Sequence, residues 1–278
     1  MRSLLTIAHL TLSEARRRRI VSAAALCAMA FLIVFGTALF FAHAEMVRNP
    51  RTSFVERQIV LTLLTLAGLY AANFLSVLFA VLLPVDALSG EIDSGVMQTL
   101  ASKPIRHADI VLGKWLGHLL IVATYLLLLT GGVLLSVWVI AHFAPINVDR
   151  ALPLMLLEVT LLLTVSIAGG TRLSTVTNGV MALGFYGIAF IGGWVEQVGA
   201  FGGIESAKTI GIVASLISPP DAMWRLAAYH LQPPVVRDLG AAVFSVAAVP
   251  TPLMVWWAVG FTALTLILAV RSFARRPL

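Results

Sequence analysis

The chain has 278 residues, a formal net charge of +6, 59% apolar and 12% charged residues. Its mean hydropathy is +0.96. Soluble domains carry about 25% charged residues, so the composition excludes a soluble globular protein. It also makes the basic excess a signal of membrane topology before one of nucleic-acid binding.

Residues 1–19 place Leu4, Leu5, Ala8, Leu12 and Ala15 at helical spacing before Arg16 to Arg19. An apolar stripe with a basic end predicts a helix lying in the membrane interface, where anionic lipid headgroups are the nearest partner. A first crossing follows over residues 20–42, since about 20 apolar residues span a bilayer. The arginines and Ala42-His43-Ala44 imitate a signal peptide. The apolar run is longer than the roughly 7–15 residues of a signal core, so it reads as a crossing. Cys27 falls inside this run and is expected to be a small buried side chain. As the single cysteine, it excludes a disulfide framework and a thiolate metal site. The second crossing is residues 59–85. Tyr70 and Asn73 share a face near its middle, and Ser76 continues that side. Polar groups at such depth are costly and are candidates for lining a pathway or for bonding helices together.

Residues 86–114 form a polar island between two crossings. From Glu91, the residues Ile92, Val96 and Leu100 recur every four positions, one stripe of a short helix. Ser102-Lys103-Pro104 breaks it, and Pro104 suits the first turn of a new helix through Arg106 and Lys114 into the third crossing, 115–143. A short amphipathic helix flanked by charges fits a groove on a soluble partner. A solvated loop is the alternative.

The fourth crossing, 152–169, holds Glu158 in its outer half, within expected reach of water. The fifth is 177–195. Tyr125 and Tyr186 sit mid-helix, where a phenol finds a carbonyl partner. Residues 199–250 contain apolar pieces too short to cross, and they read as helices on the outer surface or dipping part-way in. Within them Pro219-Pro220 stops one helix, and Asp221 is placed to cap the next over residues 222–230. Trp224 suits the headgroup level. Asp221 and Arg225, four apart, are expected to pair on its surface for about 0.3–0.5 kcal/mol. Prolines at 219, 220, 233 and 234 favour a compact outer lid over a linker. The sixth crossing, 253–270, begins after Thr251-Pro252.

With the N-terminus in the cytoplasm, the inside segments hold Arg2, Arg16 to Arg19, Lys103, Arg106, Lys114, Arg172, Arg271, Arg275 and Arg276. The outside segments hold Arg48, Arg51, Arg57, Arg150, Lys208, Arg225 and Arg237. The asymmetry predicts both termini inside. The expected fold is all-α integral membrane, six transmembrane helices in a single domain over residues 1–278. An N-terminal interfacial helix, a cytoplasmic segment at 86–114 and an extracytoplasmic segment at 199–250 complete it. No hydrolase elbow or zinc-binding H-E-x-x-H pair occurs, and the histidines and methionines form no ligand cluster, so neither catalysis nor a bound metal is expected of this chain.

The island resembles the signature region of type-2 ABC exporter permeases in Glu91, Gly95, Leu100, Ser102, Pro104, Arg106 and Gly113-Lys114. Val96 stands where that family often has Thr. The stretch Pro220-Asp221-Ala222-Met223-Trp224-Arg225 resembles a pattern in the branch that includes permeases for multicopper-enzyme maturation. The resemblance implies a coupling helix over Glu91 to Leu100 docked on separate ABC ATPase subunits, which would bind ATP and Mg. It also implies a second permease copy or paralogue, an inner-membrane location and no nucleic-acid partner. The absence of a G-x-x-x-x-G-K-[ST] loop agrees with the division of labour. A secondary transporter or a membrane scaffold without an ATPase is the alternative.

Overall fold

The computed structural model describes residues 2–15, 17–49, 53–90, 106–234, 246 and 248–275. The described residues form an all-helical bundle. Its elements are α1 (Arg2–Ala15), α2 (Arg19–Arg48), α3 (Phe54–Leu82), α4 (His107–Ala141), α5 (Val148–Gly170), α6 (Thr175–Gly202), α7 (Glu205–Ile217), α8 (Pro220–Leu231) and α9 (Leu253–Ala274). Among the described residues six helices, α2 to α6 and α9, are long and apolar enough to cross a membrane. These are the six crossings expected from the sequence.

The hydrophobic core gathers around α5, which packs against α3, α4, α6, α8 and α9. Leu161, Leu162, Leu163 and Ile167 are fully buried on it. By contrast α2 turns most of its surface outward, burying only Ala28 and Leu39. Cys27 is exposed on that outer surface, not buried as the apolar run suggested. In a membrane helix an apolar neighbourhood is as compatible with lipid as with protein.

One end of the bundle gathers α1, the end of α3 and the starts of α4 and α6. Arg18 bridges Glu14 at 2.6 Å and Asp86 at 2.5 Å. Arg172 Nε donates to Ser272 Oγ at 2.8 Å. Burial raises the Glu14 carboxyl, but hydrogen bonding and charge from Arg18, with Lys114 and His118 beyond, outweigh it and the net direction is down. Helix α1 lies along α4 with Ile7, Ala8, Thr11 and Ala15 buried, while Leu5 faces away. Ala8 and Ala15 of the expected stripe are thus buried, and Leu5 is not. The cause is on α4: Gly113 and Gly117 let α1 approach until a Cβ on either would sit 2.7 Å from Ile7 or Thr11. Small residues four apart set the seam, as is common between membrane helices.

Helix α3 stops near Pro84, which lacks an N–H. The Val85 N–H turns to Leu82 O at 3.4 Å. Side chains from neighbouring helices cover the freed carbonyls. Ser166 Oγ donates to Val81 O at 2.9 Å. Asn178 Nδ2 donates to Val85 O at 3.0 Å and to Ser166 O at 2.8 Å.

The segment after α6 re-enters the bundle. Helix α7 runs back along α6, with Gly192 and Gly211 too close to Ala214 and Glu196 to admit a Cβ. At the tip Ser218 Oγ donates to Phe185 O at 2.7 Å. Phe185 lies about 15 Å along α6 from Thr175 at 1.5 Å per residue, so the tip reaches the middle of that apolar helix. Pro219 and Pro220 suit that depth because they bring no N–H to be satisfied. Trp257 Nε1 covers Leu216 O at 3.0 Å. Helix α8 then climbs back, and Asn147 Nδ2 meets His230 O at 3.1 Å at the opposite end of the bundle.

Candidate functional site

Helix α8 carries a buried ionic cluster. Its N-terminal turn does not use Asp221 as a cap: Pro219 holds the cap position without a side-chain bond, and Asp221 lies inside the first turn. Nor is the Asp221–Arg225 pair on a surface. Asp221 is 7% exposed and Arg225 5%, because α8 is sunk against α5, α6 and α3. Arg225 Nη1 meets Glu196 Oε2 at 2.9 Å, and its Nε meets Asp221 Oδ2 at 2.9 Å. Arg225 Nη2 donates to Ser215 Oγ at 2.9 Å. The Nε contact is an ion pair without hydrogen-bond alignment. Gly193 is the device that admits this cluster, since a Cβ there would collide with Asp221 Oδ2. Glu196 was not anticipated, because its partner lies in a different helix. The close glycines at 192, 193 and 199 were the available signal.

Between α3, α6 and α8 lies a cavity of about 100 Å³, lined in part by Tyr70, Trp194, Phe201, Asp221, Trp224 and Arg225. The Tyr70 and Trp224 rings meet edge to face, centroids 5.6 Å apart. Tyr70 is about 24 Å along α3 from Phe54, so Trp224 sits at mid-helix depth and not at the headgroup level. The structure thus unites Tyr70 from the second crossing with Asp221, Trp224 and Arg225 from the outer segment, while Pro220 stays at the hairpin tip.

The other polar residues of the crossings divide. Asn73 Nδ2 donates to Glu158 Oε2 at 2.9 Å, tying α3 to α5. Glu158 is 0% exposed, so it does not reach water. Glu158 Oε1 and Asn73 Oδ1 have no hydrogen-bond partner. Ser76 donates to Ala72 O at 2.8 Å and is buried away from the cavity. Tyr125 finds the expected carbonyl, Ala24 O, at 3.2 Å. Asn73→Leu is expected to cost about 1–3 kcal/mol by stranding the Glu158 carboxyl. Glu158→Gln, which keeps the shape and an acceptor for Asn73, is expected to cost less. Thermal unfolding in detergent compares them, and equal losses would contradict the pairing.

Of the island residues, Glu91, Ile92, Gly95, Val96, Leu100, Ser102 and Pro104 lie outside the described residues. Arg106 holds the cap position of α4. Lys114 is buried one turn before His118, whose Nδ1 meets Lys114 O at 2.8 Å. Lys114 is therefore a buried side chain of α4, next to the glycine Gly113 that meets α1.

Comparison with known proteins places this architecture. A family model described as ABC-2 family transporter protein matches residues 5–278. The chain is also 42% identical over 67 residues to the "Probable ABC transporter permease protein NosY" of Stutzerimonas stutzeri, a match covering 24% of this chain and 24% of that protein. The match to this relative thus spans about a quarter of either protein. The family match covers nearly the whole of the six-helix bundle and its re-entrant hairpin. The chain belongs to the ABC-2 family of transporter proteins, as a multi-pass membrane permease.

Proposed function

We propose that this permease is the membrane half of an exporter. Two copies, or one copy and a paralogue, form the translocation pathway, and two separate ATPase subunits bind ATP and Mg beneath them. The end carrying α1, Asp86 and Arg172 faces the cytoplasm, both termini lie there, and the membrane is the inner one. Residues 86–114 present a coupling helix to the ATPase. The cavity between α3, α6 and α8 is part of the pathway, and the α7–α8 hairpin closes its outer end. The observation that carries this reading is the hairpin: α8 is buried between α3, α5 and α6, with the cavity directly beside it.

Coupling is tested at the island. Glu91→Lys, or Asp at Val96 or Leu100, is expected to abolish transport and release the ATPase while the chain still inserts. A carboxylate forced into an apolar groove costs several kcal/mol. Unchanged co-purification and ATPase activity in all three variants would refute a coupling helix here. Orientation is tested by single cysteines at Ser94 and Ser206 in a Cys27→Ala background. An impermeant reagent should reach them from opposite sides, and same-side labelling would overturn the arrangement.

A further inference from the structure

The cavity beside α8 combines aromatic rings with one ion pair, Asp221 and Arg225. Tyr70, Trp194, Phe201 and Trp224 line it. One of these rings is fixed by its neighbour: Trp224 packs edge to face with Tyr70. Aromatic faces are the negative pole of the ring quadrupole, so a ring face turned to a cavity attracts a cation. The ionic groups point the same way. Among the described residues of the cluster, two carboxylates, Glu196 and Asp221, face one guanidinium, Arg225. Arg225 directs Nη1 and Nη2 to Glu196 and Ser215. Glu196 lines a separate hollow with Ser215 and Met254. Asp221 is thus the carboxylate of the aromatic cavity, which Arg225 also lines, and its Oδ2 is met by Nε alone, without a hydrogen bond.

A strongly hydrated metal ion needs several oxygen ligands, and the walls are mainly rings and aliphatic carbon. The Gln197 Oε1 atom is already held by the Ala248 N–H at 3.0 Å. A cation with an apolar exterior needs no such ligands. We infer that this cavity binds an organic ammonium ion, with Asp221 supplying the charge and Tyr70, Trp194 and Trp224 the ring faces. The inference deepens the reading of the cavity as part of the pathway by naming the class of solute, but its test requires neither an ATPase nor transport. It can therefore fail while that reading stands.

The full-length chain is placed in nanodiscs of phosphatidylethanolamine and phosphatidylglycerol, free of choline lipids, and titrated with choline while tryptophan emission is followed. A saturable change is expected with choline, and none with 3,3-dimethylbutan-1-ol, its uncharged isostere. Asp221→Asn is expected to weaken the choline response at least tenfold. The isostere comparison on the unaltered chain decides the matter if that variant does not fold. No response to choline, or an equal response to the isostere, overturns the inference. A choline response lost in discs containing phosphatidylcholine would identify a lipid headgroup as the source of the ammonium, and one that persists would identify a free solute. Both uphold an ammonium site.

Discussion

Arg225→Met is expected to unfold the half of the bundle built around α8. The guanidinium is the one described cation between Glu196 and Asp221, and both acids are buried. Removing it leaves two carboxylates in an apolar surround. Breaking a buried pair in this way costs about 3–5 kcal/mol, against a total stability of roughly 5–15 kcal/mol for an ordinary folded domain. Purified yield and the thermal midpoint in detergent should both fall. The decisive comparison is the triple variant Glu196→Gln, Asp221→Asn, Arg225→Met. Neutralising the whole cluster removes the stranded charge, so stability should return most of the way. A single variant as stable as the original chain would mean that the ion pairs do not hold α8 in place. A triple variant no better than the single one would place the role of Arg225 in packing.

A single methyl group should do comparable damage at Gly193. Its Cβ would collide with Asp221 Oδ2, so Gly193→Ala must push α8 away from α6 or turn the carboxylate from Arg225. Overpacking alone costs about 1–3 kcal/mol, and disturbing the ion pair adds to it. Gly184 on the same helix is the internal control. A Cβ there meets nothing within 4 Å, and alanine favours a helix over glycine by about 0.5–1 kcal/mol. Gly184→Ala should therefore be neutral or stabilising. The measurement is the difference in thermal midpoint between the two variants, and indistinguishable values would refute the close approach of α8.

The crossings were legible because each is a long apolar run, and length with hydropathy is what a bilayer demands of a helix. Proline pairs likewise marked where α7 ends and α8 begins. The depth of α8 was not legible. Its charged and polar residues read as a surface helix, because the partner that permits their burial, Glu196, sits at the end of another crossing. That crossing was expected to stop at residue 195, yet α6 continues to Gly202. The Asn73–Glu158 bond was hidden for the same reason: each residue is visible as polar, but no local pattern assigns one helix to the other. The stripe expected on α1 holds at Ala8 and Ala15, which are buried, and fails at Leu5, while Ile7 and Thr11 fill the seam with α4. Leu5 is more hydrophobic than Thr11, but the glycines of α4 select the side chain that fits and not the one that is most apolar.

The broken end of α3 has a mechanical consequence. A helix that ends in a free turn dissipates displacement there, whereas this one is clamped. Ser166 holds Val81 O from α5, and Asn178 holds Val85 O from α6. Ser89 Oγ and Thr175 Oγ1 lie 2.9 Å apart and join the following turn to the start of α6. A displacement applied at Gly90 would therefore load α5 and α6 together through these bonds. The end of α3 is thus held by side chains on two other helices, and the three form one hydrogen-bonded unit.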